Sequence, residues 1–334
     1  MVSTGVLLAV LSGICNGLFT APMKMESRWK WENIWSIFIV TSCLAMPWIV
    51  VGATAPGFPR VLSGSPPSAL SAAAGFGFAW GFGAICFGRS VHTLGVSLAN
   101  SLVLGVSSAL GSLVPLIMTR PQVSWSSLTL LLLGVATFLA GVGLCGSAGR
   151  MRDAQGLDKQ TRPSAAGYIF ALIAGVMSAV FNIGYALAEP IADAGVGLGY
   201  SRTVATNCIW LLMLGAGALP NLAYCGYLMS RNHTAPLLVC RGSLASWARS
   251  LGMGLLWGGS IFLYGAATPK LGHLGPSVGW PLSLAVGLLV ANMMGLLLGE
   301  WRSAHSQARG RMYEGIATLL VAIALCAVAS RSGT

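Results

Sequence analysis

Apolar residues in this chain fall into ten long runs rather than the short alternation of strands, and charges punctuate the runs. A helix needs about 20 mostly apolar residues to cross ~30 Å of hydrocarbon, and a charge at its centre costs roughly 2.5–3.5 kcal/mol. Read between the charges, the pattern predicts spans near 5–23, 34–55, 68–88, 94–118, 126–147, 165–188, 203–224, 247–268, 274–299 and 314–330. The last is short, and only the turn SVHTLG (90–95) parts the third from the fourth.

Composition agrees with the pattern. Of 334 residues, 55% are hydrophobic and 8% charged, far from the roughly 25% charged residues of soluble domains. The net charge of +11 comes from Lys and Arg scattered singly among apolar runs, not gathered with base-stacking aromatics, so nucleic acid is not the expected partner. Membrane lipid is. The eight cysteines have no metal or redox spacing and mostly sit inside apolar runs as small hydrophobes. Residues 1–4 lack a positively charged leader, so the first run is expected to be retained as a span.

The connections after spans 1, 3, 5, 7 and 9 hold 14 of the 19 Lys and Arg residues. Cytoplasmic loops carry such an excess, which predicts both termini on the opposite, periplasmic side of a bacterial inner membrane.

The two halves show weak self-similarity. GICNGLFTA (13–21) in span 1 parallels GVMSAVFNI (175–183) in span 6, and WGFGAICFG (80–88) in span 3 parallels WGGSIFLYG (257–265) in span 8. An odd number of spans per half turns the second copy upside down. The expected organisation is a first five-helix repeat over 1–150 and a second, inverted one over 151–334. Span 9 has a small residue at every fourth place (Gly279, Ser283, Gly287, Ala291, Gly295, Gly299), and span 4 has a shorter run (Ser97, Ser101, Gly105, Ala109). Such stripes let helices pack closely in lipid.

The chemistry within the spans is mostly uncharged. No acidic residue falls at the middle of a span; Glu189 and Glu300 end spans 6 and 9, and His273 lies beside span 9, so these three are the proton-coupling candidates. No carboxylate pair, HExxH, CxxC or Gly-rich phosphate loop is present, which argues against an enzyme, a metal or an organic cofactor. The polar lining is Asn16, Asn100, Ser101, Asn182, Asn207 and Asn292, and the aromatics are Trp80, Phe87, Trp257, Tyr264 and Trp280. Amides offering donors and an acceptor beside aromatic faces suit a neutral polyol such as a sugar. The same residues also serve as interhelical glue and interface anchors.

One stretch is distinctive in its order: APMKMESRWKWENIWS (21–36). Its Ala21-Pro22, Lys24, Trp29, Trp31-Glu32 and Trp35-Ser36, followed by Pro47-Trp48, resemble the L-rhamnose-proton symporter family of the drug/metabolite transporter superfamily. The likeness continues through Trp80-Gly81-x-Gly83, Gly88, Leu94-Gly95, Ser178-Ala179, Pro190, Trp257, Tyr264 and Glu300-Trp301. The resemblance implies an all-α membrane protein of ten helices in an inverted five-plus-five repeat, taking up a deoxyhexose with a proton. The chain departs from that family in two places. It reads GPSVGWPLS (275–283) where the family carries an aspartate in a YDYISW-like segment, and Ala84 where the family carries asparagine.

The expectation is therefore a secondary transporter of a small neutral sugar, working by alternating access. Substrate is expected on Asn16, Trp80, Phe87, Asn100, Ser101, Asn182, Trp257, Tyr264 and Trp280, with Lys24, Trp31 and Glu32 as a cytoplasmic gate or anchor. An exporter of amphipathic metabolites and a membrane ligand sensor that moves nothing are the alternatives.

Overall fold

The structure, a computed structural model, describes residues 2–94, 96–119, 125–153, 165–297, 301–302 and 304–332. Within these residues all regular structure is helical. The order is α1 (Val2–Leu18), the single turn α2 (Ala21–Lys24), α3 (Trp31–Ile39), a π-helical turn (Val40–Ala45), α4 (Met46–Thr54) and α5 (Phe58–Ser63). Then come α6 (Pro67–Leu94), α7 (Val96–Thr119), α8 (Trp125–Asp153), α9 (Ala165–Leu187), α10 (Glu189–Gly197) and α11 (Arg202–Arg231). A 3-10 turn (Ala235–Val239), α12 (Leu244–Ala267), a second 3-10 segment (Thr268–Leu274), α13 (Gly275–Leu297) and α14 (Ser306–Ser332) complete it.

Nine segments among the described residues are long and apolar enough to cross a membrane, and Ser101–Ile117 in α7 is a shorter tenth. Nine of the ten expected spans thus have a segment of crossing length, the fourth has the shorter helix, and the chain is a multi-pass membrane protein. Helices α6, α8, α11 and α14 run several residues beyond the spans expected from sequence. Arg150 and Arg152 lie in the last turn of α8 and Arg231 in the last turn of α11, where long basic side chains reach the headgroups and complement the helix dipole. Residues 90–94 of the SVHTLG segment are helical, as α6 continues to Leu94, and Gly95 lies outside the described residues.

Proline shapes the interruptions. Pro47 has no N–H and crowds the preceding turn, which widens to the π-helical Val40–Ala45. Pro190 cannot donate to the carbonyl four residues back, so α9 stops at Leu187 and α10 starts afresh at Glu189.

The chain divides into two compact units: residues 1–17, 83–183 and 267–334 form one, and residues 18–82 and 184–266 the other. In the first unit α1 packs against α13 with almost no gap. A Cβ on Gly13 would lie 2.6 Å from the Ser283 carbonyl oxygen, and one on Gly17 2.5 Å from that of Gly287. Ser12 and Ser283 share a hydrogen bond of 2.8 Å along the same contact. The span-9 stripe thus faces α1. Its counterpart in span 4 makes no such approach, since a Cβ on Gly105 would meet its nearest neighbour at 3.7 Å. On α7 the tight position is Gly111, against the Trp280 indole.

The second unit has its own core around the fully buried Trp210, Tyr185, Tyr264 and Phe38. Here α6 meets α11 through glycine: a Cβ on Gly81 would lie 2.5 Å from the Gly217 carbonyl oxygen.

Gly13→Val is expected to force α1 off α13 and lower stability by about 1–3 kcal/mol, the usual cost of overpacking. Gly143→Ala, at a site with nothing within 4 Å, should be silent. Thermal unfolding of both variants in one detergent checks the contrast.

Candidate functional site

In the second unit two of the five expected aromatic residues come together. Trp80 of α6 and Trp257 of α12 stack face to face, with centroids 5.2 Å apart and planes 10° apart. Phe38 meets Trp257 edge-on at 5.7 Å, and Trp35 and Trp31 extend the wall at 4.7 Å from Phe38 and 5.2 Å from Trp35 respectively. The wall is pinned by one amide. Asn221 Oδ1 accepts from Trp35 Nε1 at 3.0 Å, while its Nδ2 donates to the carbonyls of Gly81 and Gly217. Asn221 was not among the residues singled out from sequence. Its three partners come from α3, α6 and its own helix, so no local spacing could reveal it.

A second aromatic group holds Tyr264. Tyr185 stacks on Trp210 at 4.6 Å, with Tyr264 5.7 Å from Tyr185 and 6.2 Å from Trp210. These two partners of Tyr264 were also missed, being ordinary apolar positions in the sequence pattern.

The first unit carries an uncharged polar chain. Trp280 Nε1 donates to Ser107 Oγ at 3.2 Å, and Ser107 donates to Ser178 at 2.8 Å. Asn182 Nδ2 donates to the Gly111 carbonyl at 2.7 Å and to that of Pro276 at 3.3 Å. α7, α9 and α13 are thereby joined by groups that do not titrate, and Phe181 packs 6.5 Å from Trp280.

The stretch APMKMESRWKWENIWS is heavily hydrogen-bonded within the second unit. Glu26, with only 1% of its side chain exposed, accepts from the backbone amides of Arg28 and Trp29, from Ser246 Oγ at 2.9 Å and from Arg249 at 3.0 Å. Buried Glu32 accepts from Asn232 at 3.0 Å and Thr234 at 2.9 Å. Asn33 and Trp29 donate to the Thr234 and Leu237 carbonyls, and Trp29 meets Trp247 edge-on at 5.5 Å. Arg28 donates to the Gly242 carbonyl at 2.8 Å. Gly242 has φ of 87° and abuts that guanidinium, so only glycine serves there. The connection after span 1 is thus strapped to the connection between α11 and α12.

The family model for the L-rhamnose-proton symport protein matches residues 1–331. This chain belongs to that family. It is similar to L-rhamnose-proton symporters of Cronobacter sakazakii (strain ATCC BAA-894), 27% identical over 96% of each chain, and of Klebsiella pneumoniae (strain 342), 25% identical over 96% of each. The symporter of Yersinia pestis (strain Pestoides F) is 26% identical over 95% of each. Membership makes the chain a membrane transporter rather than an enzyme.

Among the residues that carry the likeness to the symport family, Trp29, Glu32 and Trp35 are buried in the strap and the aromatic wall. Trp31 is half-buried against Trp35 and Tyr224. Lys24 closes α2, and its side chain lies outside the described residues. Asn16 sits beside Gly287, its Nδ2 3.2 Å from where a Cβ on that glycine would be. Phe87 is half-buried near Val103, Ala171 and Ala174, and Ser101 is half-buried on α7. The side chains of Asn100 and His273 and the whole of Glu300 lie outside the described residues. Glu189 opens α10, 3.9 Å from Arg202, whose guanidinium pairs directly with Asp193. Neither Arg202 nor Asp193 stood out in the sequence, where both are loop charges. Among the described residues no cluster of three metal-binding side chains exists.

Burial alone would push the Glu26 carboxyl up, but the donors from Arg28, Arg249, Trp29 and Ser246 outweigh it and hold the group at about 2, against an ordinary 4.5. A carboxyl depressed on folding stabilises above its unfolded value, and that stability is lost as pH falls from about 4.5 toward 2. Glu26→Gln is expected to lose about 1–3 kcal/mol at pH 7 by leaving Arg249 without its charge partner, and to lose less further stability on acidification than the wild type. Thermal unfolding at pH 7, 5 and 3.5 measures both.

Proposed function

We propose that this protein is a sugar/proton symporter of the bacterial inner membrane, taking up L-rhamnose or a closely related deoxyhexose by alternating access. The observation that carries the reading is the match to the symport family from end to end, residues 1–331. The stacked Trp80 and Trp257 support it, because they come from WGFG and WGGS, the parallel segments of spans 3 and 8. A 6-deoxyhexose has an apolar face of C–H bonds and a methyl group that suits an indole, and a polar edge that needs amides and hydroxyls. At 5.2 Å the two rings leave no space between them, so in this reading the sugar stacks on the outer face of the pair or separates it.

The inverted repeat of residues 1–150 and 151–334, within the drug/metabolite transporter superfamily, belongs to the same proposal. It is supported by the unit boundaries, which fall at Gly17 and Ile183 in spans 1 and 6 and at Phe82 and Ala266 in spans 3 and 8. These are the spans whose sequences resemble each other. The orientation with both termini periplasmic rests on the Lys and Arg asymmetry.

Coupling needs a group that titrates. The segment 275–283 supplies none, and Trp280 there bonds to a serine. We assign the proton to Glu189: two carboxylates, Glu189 and Asp193, share the single guanidinium of Arg202, and Asp193 holds the closer contact. Lys24, Trp31 and Glu32 act in this reading as the anchor of the cytoplasmic strap.

Saturable rhamnose uptake into proteoliposomes, with alkalinisation of the bath, is the expected result. No flux of any monosaccharide sinks the sugar reading; resistance to amphipathic drugs without sugar flux would favour an exporter. Trp80→Leu is expected to cut the flux roughly tenfold, equivalent to about 1.4 kcal/mol of binding. Glu189→Gln should leave sugar exchange intact while abolishing bath alkalinisation.

A further inference from the structure

α7 carries Pro115 inside it, buried. Proline has no N–H, so the Gly111 carbonyl, four residues back, loses the donor its own helix would give it. In hydrocarbon no water takes that place. The substitute comes from α9: Asn182, with none of its surface exposed, donates to this carbonyl at 2.7 Å.

The parts of α7 on either side of the break pack on different neighbours. Before it, Val103 clusters with Ala171 and Ala174 of α9, and a Cβ on Gly175 would stand 2.7 Å from Val106. After it, Leu116 packs on the cluster that includes Leu131 of α8 and Val278 and Leu282 of α13. The hydrogen bonds divide in the same way. Between α7 and α9 they measure 2.7 Å (Asn182 to Gly111) and 2.8 Å (Ser107 to Ser178). Those that cross to α13 are longer, 3.3 Å from Asn182 to the Pro276 carbonyl and 3.2 Å from Trp280 to Ser107. Turning the first part of α7 with α9 against α13 gives up the two longer bonds and keeps the two shorter ones.

The turn before the proline also holds unmet polarity. Ser108 and Ser112 are fully buried, and their hydroxyls have no partner among the described residues. A helical serine ordinarily returns its hydrogen to a carbonyl three or four residues back, so an altered bend that offers these two an acceptor has something to gain.

We propose that Gly111–Pro115 is a hinge in α7, about which its first part and α9 turn against its last part and α13, and that Asn182 is a positioning residue that caps the broken helix. The hinge rests on the alternating-access reading; the cap does not. Both are tested on the full-length protein in one detergent. Asn182→Ala leaves the Gly111 carbonyl without its donor and is expected to lower the unfolding midpoint by several degrees. Pro115→Ala restores an N–H to that carbonyl, so adding Asn182→Ala to it should cost no more than about half as much. If Asn182→Ala alone does not fold, a folded double variant is the same result. Equal losses in both backgrounds, or a double variant no more stable than Asn182→Ala, would overturn the cap. Hydrogen–deuterium exchange reads the hinge without sugar: α7 amides near 111–116 should exchange about fivefold more slowly in Pro115→Ala, and unchanged exchange overturns it. In proteoliposomes Pro115→Ala should cut rhamnose turnover about tenfold while binding stays within about twofold, and undiminished turnover overturns the hinge. A wild type without rhamnose flux counts against the sugar reading, and amide exchange then decides the hinge.

Discussion

Hydrocarbon offers no hydrogen bonds, and that constraint organises this protein. A backbone in lipid must satisfy itself, which leaves helices. A buried polar side chain must then find its partner on another helix or on a carbonyl freed by proline or close packing. Asn221 ties the Trp35 indole to the Gly81 carbonyl, and Asn182 ties α9 to the carbonyls of Gly111 and Pro276. Both amides reach a carbonyl of a small residue, Gly81 or Gly111, where the absence of a side chain lets neighbours come close. Glycine and amide therefore work as one device.

The same logic explains why carboxylates survive burial in the strap. Glu26 and Glu32 have almost no solvent exposure, yet each is surrounded by donors from segments some 200 residues away in sequence. Their position next to charge-rich connections puts cations and hydroxyls within reach. The result joins the beginnings of α3 and α12 into one piece, so a displacement of either carries the other. Basic residues that composition assigns simply to loop charge divide into distinct jobs: Arg249 and Arg28 close the strap, while Arg202 pairs with Asp193 and stands near Glu189.

The aromatic wall lies in the same unit as the strap. Trp31 and Trp35 share α3 with Glu32 and Asn33 of the strap, and their rings lead on to Phe38, Trp257 and Trp80. A continuous row of rings thus runs from the stacked pair to Trp31 at the start of α3. In the other unit the interior polar chain runs through serine, indole and amide groups.

Sequence by itself determined the order and approximate bounds of the apolar helices, because a charge at the centre of a span is costly and the runs end where charges begin. It also determined the family, since the order of residues in APMKMESRWKWENIWS is independent of how they pack. It placed Trp80 and Trp257 in matching segments but not face to face. Tertiary structure alone decided that Glu26 is a buried hub, that Asn221 pins the wall, that Asp193 and Glu189 share Arg202, and which glycines touch: Gly13 and Gly111 do, Gly105 does not. The physical reason is common to all of these. Burial in lipid is additive along a run and legible locally, whereas a hydrogen bond or close approach needs a partner hundreds of residues away, whose position only the packed helices fix.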